Sequence, residues 1–123
     1  MEPTAQKSRS FRDLDVWKLA VGLSKEIYLI TARFPASELY GLTNQLRRAA
    51  ISIPSNIAEG QGRHSNKVFR QYLYVAIGSL GELETQLIIA KEINYITSEE
   101  LGPMVANLDR IRKMIRSLYR NIN

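Results

Sequence analysis

Apolar residues recur every three or four positions along most of this 123-residue chain, which is the spacing of one face of an α-helix. The repeat is longest from Phe69 to Ala90, where it continues over three heptads in the pattern of helix-bundle packing. Shorter stripes run from Val16 to Phe34, from Leu42 to Ile57 and from Leu101 to Ile122. No alternating run bounded by hairpin turns indicates a strand. Because short connections join the four stripes, they predict an all-α fold, an antiparallel up-down-up-down four-helix bundle.

The start of the chain differs from the rest. Residues 1–12 are polar and basic and have no apolar periodicity, which predicts a flexible basic N-terminal arm before a bundle formed by residues 13–123. This start lacks the apolar core of a signal peptide, and no apolar run approaches the ~18 residues that span a bilayer. The chain has no cysteine. We therefore expect a cytoplasmic protein that makes no contact with a membrane.

A proline lies inside the second helical segment, Tyr40–Arg63. Pro54 has no backbone donor for the carbonyl four residues earlier, that of Ala50, and its ring crowds that carbonyl. The apolar spacing nevertheless continues on both sides of the proline, so we expect one bent helix rather than two. Ser52 and Ser55 flank the proline, and we expect them to help satisfy the freed carbonyls.

The residues needed for catalysis are scarce in this chain. His64 is the one histidine, and it lies in a polar turn. Without cysteine, a metal site would need a carboxylate cluster, and the Glu-x-x-His pairs of di-iron bundles are absent from the sequence. No histidine lies beside a nucleophilic side chain in the pattern of a catalytic triad. We predict a protein that is not an enzyme and has no cofactor or metal.

Basic residues are segregated along the chain, which carries a formal net charge of +5. They concentrate in residues 47–70 and 104–120, whereas residues 71–100 are acidic. Arginine suits phosphate because its planar guanidinium donates two hydrogen bonds at once. The alternative is that these charges only solvate the outer faces of helices. The predicted nucleic-acid-binding residues are Arg47, Arg48, Arg63, Lys67, Arg70, Arg110, Lys113, Arg116 and Arg120.

The third helical segment carries a second, partly apolar stripe beside its main one. A helix in a small monomeric bundle needs one buried stripe, so the second predicts a surface for a partner, most simply another copy of the chain. Its polar members Glu82 and Gln86 lie on one face, either as a polar layer that fixes register or as ordinary surface residues. The predicted oligomer interface comprises Tyr72, Val75, Glu82, Gln86 and Ile89.

Three sequence blocks resemble a known family. They are F-x-D-L-x-V-W-K-x-A (Phe11 to Ala20), Y-G-L-T-x-Q-L-R-R-A-A-x-S-I-P-S-N-I-A-E-G (Tyr40 to Gly60) and G-S-L-G-E-L-E-T-Q-L (Gly78 to Leu87). They are similar to the four-helix-bundle proteins encoded within intervening sequences of bacterial 23S ribosomal RNA genes. The resemblance implies an antiparallel bundle that assembles as a homopentamer, and it brings no catalytic residues. A related branch comprises accessory proteins of diversity-generating retroelements.

Three functions remain open from the sequence. The first is a non-enzymatic, oligomeric nucleic-acid-binding protein, with RNA as the favoured ligand. The second is an accessory subunit of a diversity-generating retroelement, which would bind a reverse transcriptase and its RNA or DNA. The third is a self-assembling ring that has only a structural role. The segregated charge favours the first, and the resemblance is compatible with all three.

Overall fold

The computed structural model describes residues 10–122, which form four α-helices and no strand. The helices are α1 (Asp15–Thr31), α2 (Leu42–Gln61), α3 (Asn66–Glu92) and α4 (Ser98–Asn121). Short 3-10 helices occupy Phe11–Asp13 and Ala36–Glu38. The fold is the predicted all-α four-helix bundle. Most of the predicted N-terminal arm lies outside the described residues, and the last part of it is the first 3-10 helix, which the Ser10 side chain caps.

Neighbouring helices run antiparallel, because their contacting residues pair in opposite chain directions. The contacting pairs are Ser24–Ala50 and Thr31–Arg47 between α1 and α2, Ser52–Ser79 and Gly60–Tyr72 between α2 and α3, and Arg70–Ile122 and Glu84–Arg112 between α3 and α4. At one end of the bundle the Phe34 and Tyr95 rings also pack together, with centroids 5.1 Å apart, where the loops before α2 and before α4 meet. Together these pairs give the up-down-up-down order that the short connections predict.

The core is built from the periodic apolar residues of all four helices. Large side chains with essentially no exposure come from each, including Ile27 of α1, Ile53 of α2, Leu80 of α3 and Ile111 of α4. Fully burying one such side chain contributes about 1.5–3 kcal/mol to folding. The core therefore confirms the stripes on which the fold prediction depends.

Helices α2 and α3 approach each other closely, and a glycine permits it. A Cβ atom added at Gly60 would lie 2.6 Å from Tyr72 Cβ and 3.0 Å from Phe69 Cδ1. Further along the same seam, the Ser52 and Ser79 hydroxyls share a hydrogen bond of 2.8 Å. Small residues thus set the spacing of this helix pair.

Helix α2 continues through Pro54 without a break, as the apolar spacing predicts. The serine prediction was wrong, because Ser24 of α1 donates from Oγ to the freed Ala50 carbonyl at 3.2 Å. The Ser52 hydroxyl instead forms a hydrogen bond with the Ser79 hydroxyl of α3 and accepts another from Asn56 Nδ2 at 3.0 Å. Ser55 is exposed. The donor that the proline removes is therefore replaced from the neighbouring helix.

Glu38 ties the loop between α1 and α2 to the opposite hairpin. Its Oε1 accepts from the Leu42 backbone N–H at 3.1 Å, and its Oε2 accepts from the Tyr95 hydroxyl at 2.8 Å. Both hydrogen bonds lower the pKa of Glu38, and the one from the Leu42 N–H has the larger effect. The carboxylate therefore caps the start of α2 and joins it to the loop before α4.

An arginine–carboxylate pair lies at the same end of the bundle. The Arg33 guanidinium donates two hydrogen bonds to Glu100, of 2.5 and 3.0 Å. Glu100 also accepts from the Thr97 backbone N–H, and Thr97 Oγ1 accepts from the Glu100 N–H, so the two residues form the capping box of α4. The hydrogen bond from Arg33, which has the largest effect, and the hydrogen bond from the Thr97 N–H lower the pKa of Glu100 to about 2.

Helix α3 is the one helix of residues 10–122 whose length and composition would suffice to cross a membrane. It packs on both α2 and α4 as the central helix of the bundle, and a buried core helix meets the same criteria. Yet only 44% of its most apolar window is buried within the protomer. Helix α3 therefore carries more apolar surface than the core of one chain uses.

Candidate nucleic-acid interface

Arg47 has an internal role in the bundle. Its Nε donates to Thr31 Oγ1 at 2.9 Å, and its guanidinium lies 4.5 Å from the centroid of the Tyr28 ring. A second nitrogen reaches the Tyr28 carbonyl at 3.4 Å. Cations are favoured near the C-terminal end of a helix, and Arg47 ties α2 to the last turn of α1 there. The structure thus places this predicted phosphate ligand in a contact between α1 and α2.

Two further arginines are engaged with carboxylates. Arg63 pairs with Glu59 at 2.6 Å, which raises the pKa of Arg63, and its guanidinium lies 5.5 Å from the Tyr72 ring centroid. Arg112 of α4 pairs with Asp109 at 2.6 Å and with Glu84 of α3 at 2.9 Å. Such pairs occupy the donors that a phosphate would need, so neither residue is a preferred ligand.

Arg70 of α3 holds the end of α4. Its Nε donates to the Tyr119 carbonyl at 3.3 Å, and a terminal nitrogen donates to the Ile122 carbonyl. Its guanidinium also lies 6.0 Å from the centroid of the Tyr119 ring. Carbonyls in the last turn of a helix have no intrahelical donors, and Arg70 supplies them. This residue keeps its positive charge at the surface while it fixes α4 on α3.

The remaining predicted basic residues are exposed. None of them forms an ion pair or hydrogen bond with another side chain or carbonyl within residues 10–122. Most lie on α4, where no carboxylate follows Asp109 before the helix ends. The exposed set is Arg48, Lys67, Arg110, Lys113, Arg116 and Arg120.

The α4 residues of this set do not all face the same neighbour. Arg110 lines a cleft between α1 and α4 together with Lys18, Gly22 and the carboxylate of Glu26. Arg116 and Arg120 lie one turn before and one residue after Tyr119, which contacts Arg70 of α3. Exposed cations of α4 therefore lie both on its α1 side and on its α3 side.

A group of basic and aromatic residues gathers where the start of α3 meets the end of α4. Tyr74 is 70% exposed and Tyr119 is 37% exposed. Tyr74 follows Arg70 by four residues, the spacing at which helical side chains are neighbours. We name this group the basic–aromatic cluster, and it consists of Lys67, Arg70, Tyr74, Arg116, Tyr119 and Arg120.

The second stripe of α3 divides between two environments. Gln86 is only 6% exposed, so it does not lie on an outer surface, and its buried Oε1 has no partner within the described residues. Tyr72 is half-buried against Gly60 and beneath Arg63. These two residues lie in the α2–α3 seam, because that side of α3 is covered by α2. Their assignment to an oligomer interface stays a prediction.

The other predicted interface residues do face outward. Val75 is 51% exposed and Ile89 is 46% exposed, with Glu82 exposed between them. Added Cβ atoms at Gly78 and Gly81 would meet nothing within 4 Å. We name this surface the outer stripe of α3, and it consists of Val75, Gly78, Gly81, Glu82, Thr85 and Ile89.

Comparison with known protein families shows which family the chain belongs to. The sequence signature described as 23S rRNA-intervening sequence protein matches residues 12–117. The chain belongs to the 23S rRNA-intervening sequence protein family. The resemblance carried by the three sequence blocks is thereby confirmed. No curated protein matches the chain significantly.

A solved structure has the same fold as this 23S rRNA-intervening sequence protein. It is a protein of unknown function from the S23 ribosomal protein family of Bacteroides thetaiotaomicron. The two chains are 22% identical, with a TM-score of 0.76, and the match covers 86% of this chain and 99% of the other. At this identity the likeness shows the four-helix fold alone.

Sequence reasoning missed the two tyrosines of the cluster in this 23S rRNA-intervening sequence protein. Tyrosines are usually core or interface residues, and nothing in the periodicity distinguishes Tyr74 from a buried one. The available signal was its position four residues after Arg70, in a stretch without carboxylates. The proximity of Tyr119 depends on how α4 packs on α3, which the sequence alone does not give.

Proposed function

We propose that this 23S rRNA-intervening sequence protein binds RNA through the exposed basic residues of α4 and the start of α3. It does so as a cytoplasmic, non-enzymatic oligomer. The observation that carries the proposal is the run from Arg110 to Arg120, where four exposed cations have no carboxylate partner within residues 10–122. These residues span ten positions, or roughly 15 Å of helix. A run of that length reaches several phosphates of one strand.

The strength of such binding depends on salt. Each phosphate that the protein neutralises releases condensed counterions, so the logarithm of the binding constant falls linearly with the logarithm of salt concentration. Four contacts give a slope of roughly −3 for a single strand and roughly −4 for a duplex. Cations already held in internal ion pairs, such as Arg63 and Arg112, add little to this slope.

Fluorescence anisotropy with a labelled RNA, measured across a salt series, tests the proposal. The double variant Arg116→Ala/Arg120→Ala should make the slope shallower by roughly 1.5. The control Lys25→Ala removes one charge from an exposed position of α1 that does not line the Arg110 cleft and should change the slope little. Absence of binding at low salt would overturn the proposal. Equal effects of both variants would overturn the assignment to α4.

Self-association is part of the proposal, with a second copy of the chain on the outer stripe of α3. The support is that this stripe leaves Val75 and Ile89 exposed on the central helix. It also has two glycines, Gly78 and Gly81, where an added Cβ atom would meet nothing within 4 Å, so a partner has room to approach closely there. Glycine inside a helix costs about 1 kcal/mol relative to alanine, so a function other than protomer stability favours it there. The family resemblance suggests five copies.

Light scattering tests the assembly. The wild type should give a particle several times the 14.0 kDa protomer, and Val75→Lys/Ile89→Lys should give the protomer alone. The control Leu29→Lys places a charge at an apolar residue of α1 that is 64% exposed and should assemble normally. A wild-type particle of protomer mass at high concentration would refute the assembly. Assembly without RNA binding would favour a purely structural ring.

A further inference from the structure

Tyr74 is unusual because it lies exposed in the third turn of the longest helix. Its side chain is 70% exposed, and it makes no hydrogen bond or ring contact within residues 10–122. Burying a large side chain contributes a few kcal/mol in most proteins, and this protomer forgoes that contribution. The flat face of the ring is therefore available to a ligand.

Tyr119 presents a second ring on the same side of the bundle. It is 37% exposed, and the Arg70 guanidinium lies 6.0 Å from its centroid. Tyr74 lies one helical turn after Arg70 on α3, so Arg70 connects the stretch of α3 that carries Tyr74 to Tyr119 of α4. The hydrogen bond from Arg70 Nε to the Tyr119 carbonyl, 3.3 Å long, holds this arrangement in place.

The charged residues of the helix segments that carry the two rings are all basic. No carboxylate occurs from Asn66 to Gly81 on α3 or from Arg110 to Asn121 on α4. Lys67, Arg116 and Arg120 are exposed and without ion pairs inside residues 10–122. Such a surface attracts a polyanion.

We propose that the basic–aromatic cluster binds unpaired RNA, with bases stacked on Tyr74 and Tyr119 and phosphates on Lys67, Arg116 and Arg120. This inference rests on the proposed function and names the form of RNA that the site takes. Aromatic side chains stack on the faces of bases, and those faces are accessible only when the strand is unpaired. A duplex hides them inside its own stack, so it meets only the charges of this surface.

Binding of a labelled single-stranded RNA of about 16 nucleotides, and of the same sequence as a duplex, tests the inference. Tyr74→Leu should weaken single-strand binding about tenfold, since one stacked base contributes that order of affinity. The double variant with Tyr119→Leu should weaken it further. Duplex binding should change less than twofold, and the salt slope should stay at the wild-type value because no charge is removed.

Two controls complete the experiment. Tyr40→Leu removes a tyrosine that is 91% exposed at the opposite end of the bundle and should leave both affinities unchanged. Tyr74→Trp keeps an aromatic face and should retain or improve single-strand binding. Circular dichroism confirms that each variant is folded, and Tyr74→Leu alone decides the test if Tyr119→Leu disturbs the packing of Arg70.

The outcomes separate the inference from the proposed function. Wild-type protein that binds neither RNA form overturns both. Wild-type protein that binds RNA while the tyrosine variants bind single strands equally well overturns only the stacking. Equal loss of duplex and single-strand binding in Tyr74→Leu also overturns it. Dissociation of the oligomer in Tyr74→Leu would instead place this ring in a protein interface.

Discussion

Ser24 of α1 donates a hydrogen bond to the Ala50 carbonyl of α2, a carbonyl that would otherwise have no donor because Pro54 occupies the position four residues later. The Oγ–O distance is 3.2 Å, and the one hydroxyl proton is shared with the Ala20 carbonyl of the serine's own helix, which lies 3.0 Å away. A side chain of one helix thus replaces a backbone donor missing from another. This relationship explains how a proline is accommodated inside a core helix.

Ser24→Ala should reduce the free energy of unfolding by about 1 kcal/mol, because it leaves the Ala50 carbonyl unsatisfied. In a Pro54→Ala background the residue-54 N–H supplies the donor, so the same serine change should cost close to nothing. Urea denaturation of the four proteins in this double-mutant cycle measures the coupling. Equal costs in both backgrounds would show that Ser24 does not serve this carbonyl.

Two glycine substitutions should act in opposite directions. Gly60→Ala should destabilise the protomer by about 1–3 kcal/mol, since its Cβ would lie 2.6 Å from Tyr72 Cβ. Gly78→Ala meets nothing within 4 Å and should stabilise the protomer by up to about 1 kcal/mol through helix propensity. Denaturation at low protein concentration compares the two variants. If the outer stripe is an interface, Gly78→Ala should also weaken assembly, which sedimentation detects.

The Arg33–Glu100 pair makes stability depend on acid. The pKa of Glu100 falls to about 2 in the folded protein, against an ordinary value of 4.5. A lowered folded pKa stabilises the fold above pH 4.5, and that contribution is lost as the pH falls from 4.5 to 2. The stability advantage of the wild type over Glu100→Gln should therefore be full at pH 6 and vanish near pH 2. Denaturation at a series of pH values measures it.

Glu99→Gln provides the control for this pH dependence. The neighbouring Glu99 is exposed and makes no ion pair within residues 10–122, so its substitution removes the same charge from the same helix turn. It should follow the wild-type curve in shape. A Glu99→Gln curve that matches that of Glu100→Gln would attribute the effect to net charge at the start of α4 instead of to the Arg33 pair.

Gln86→Met should stabilise the protein by about 1 kcal/mol. The Gln86 side chain is 94% buried and its Oε1 has no partner in the described residues, and an unsatisfied buried acceptor costs about 1–3 kcal/mol. Methionine keeps the length of the side chain without the acceptor. Gln71→Met, at an exposed position of the same helix, should be neutral. A destabilised Gln86→Met would indicate that an internal water satisfies the amide.

The sequence predicts the architecture well because each helix has its own apolar period. The stripes from Val16, Leu42, Phe69 and Leu101 all proved to face one core. Continuity through Pro54 was also predictable, since the spacing does not shift there. The source of the replacement donor was not, because Ser24 meets Ala50 only once α1 has docked on α2.

The candidate site was less predictable for a related reason. A helical wheel places Gln86 and Glu82 on one side of α3, but it does not say how far α2 extends around that side, and only Gln86 is buried. Likewise, Arg70 and Arg116 carry the same charge in the sequence. Arg70 donates to a carbonyl of α4 because the two helix ends meet beside it, whereas Arg116 is exposed.

The ties between the two hairpins have a consequence for motion within the bundle. Glu38–Tyr95, Arg33–Glu100 and the Phe34–Tyr95 ring contact all join the α1–α2 hairpin to the α3–α4 hairpin at one end. Arg70 lies at the other end, and the contacts described for it join α3 only to α4. At that end the close contact of Gly60 with Tyr72 joins α2 to α3. Separation of the two hairpins is therefore restrained at both ends of the bundle, by polar and ring contacts at one and by close helix packing at the other.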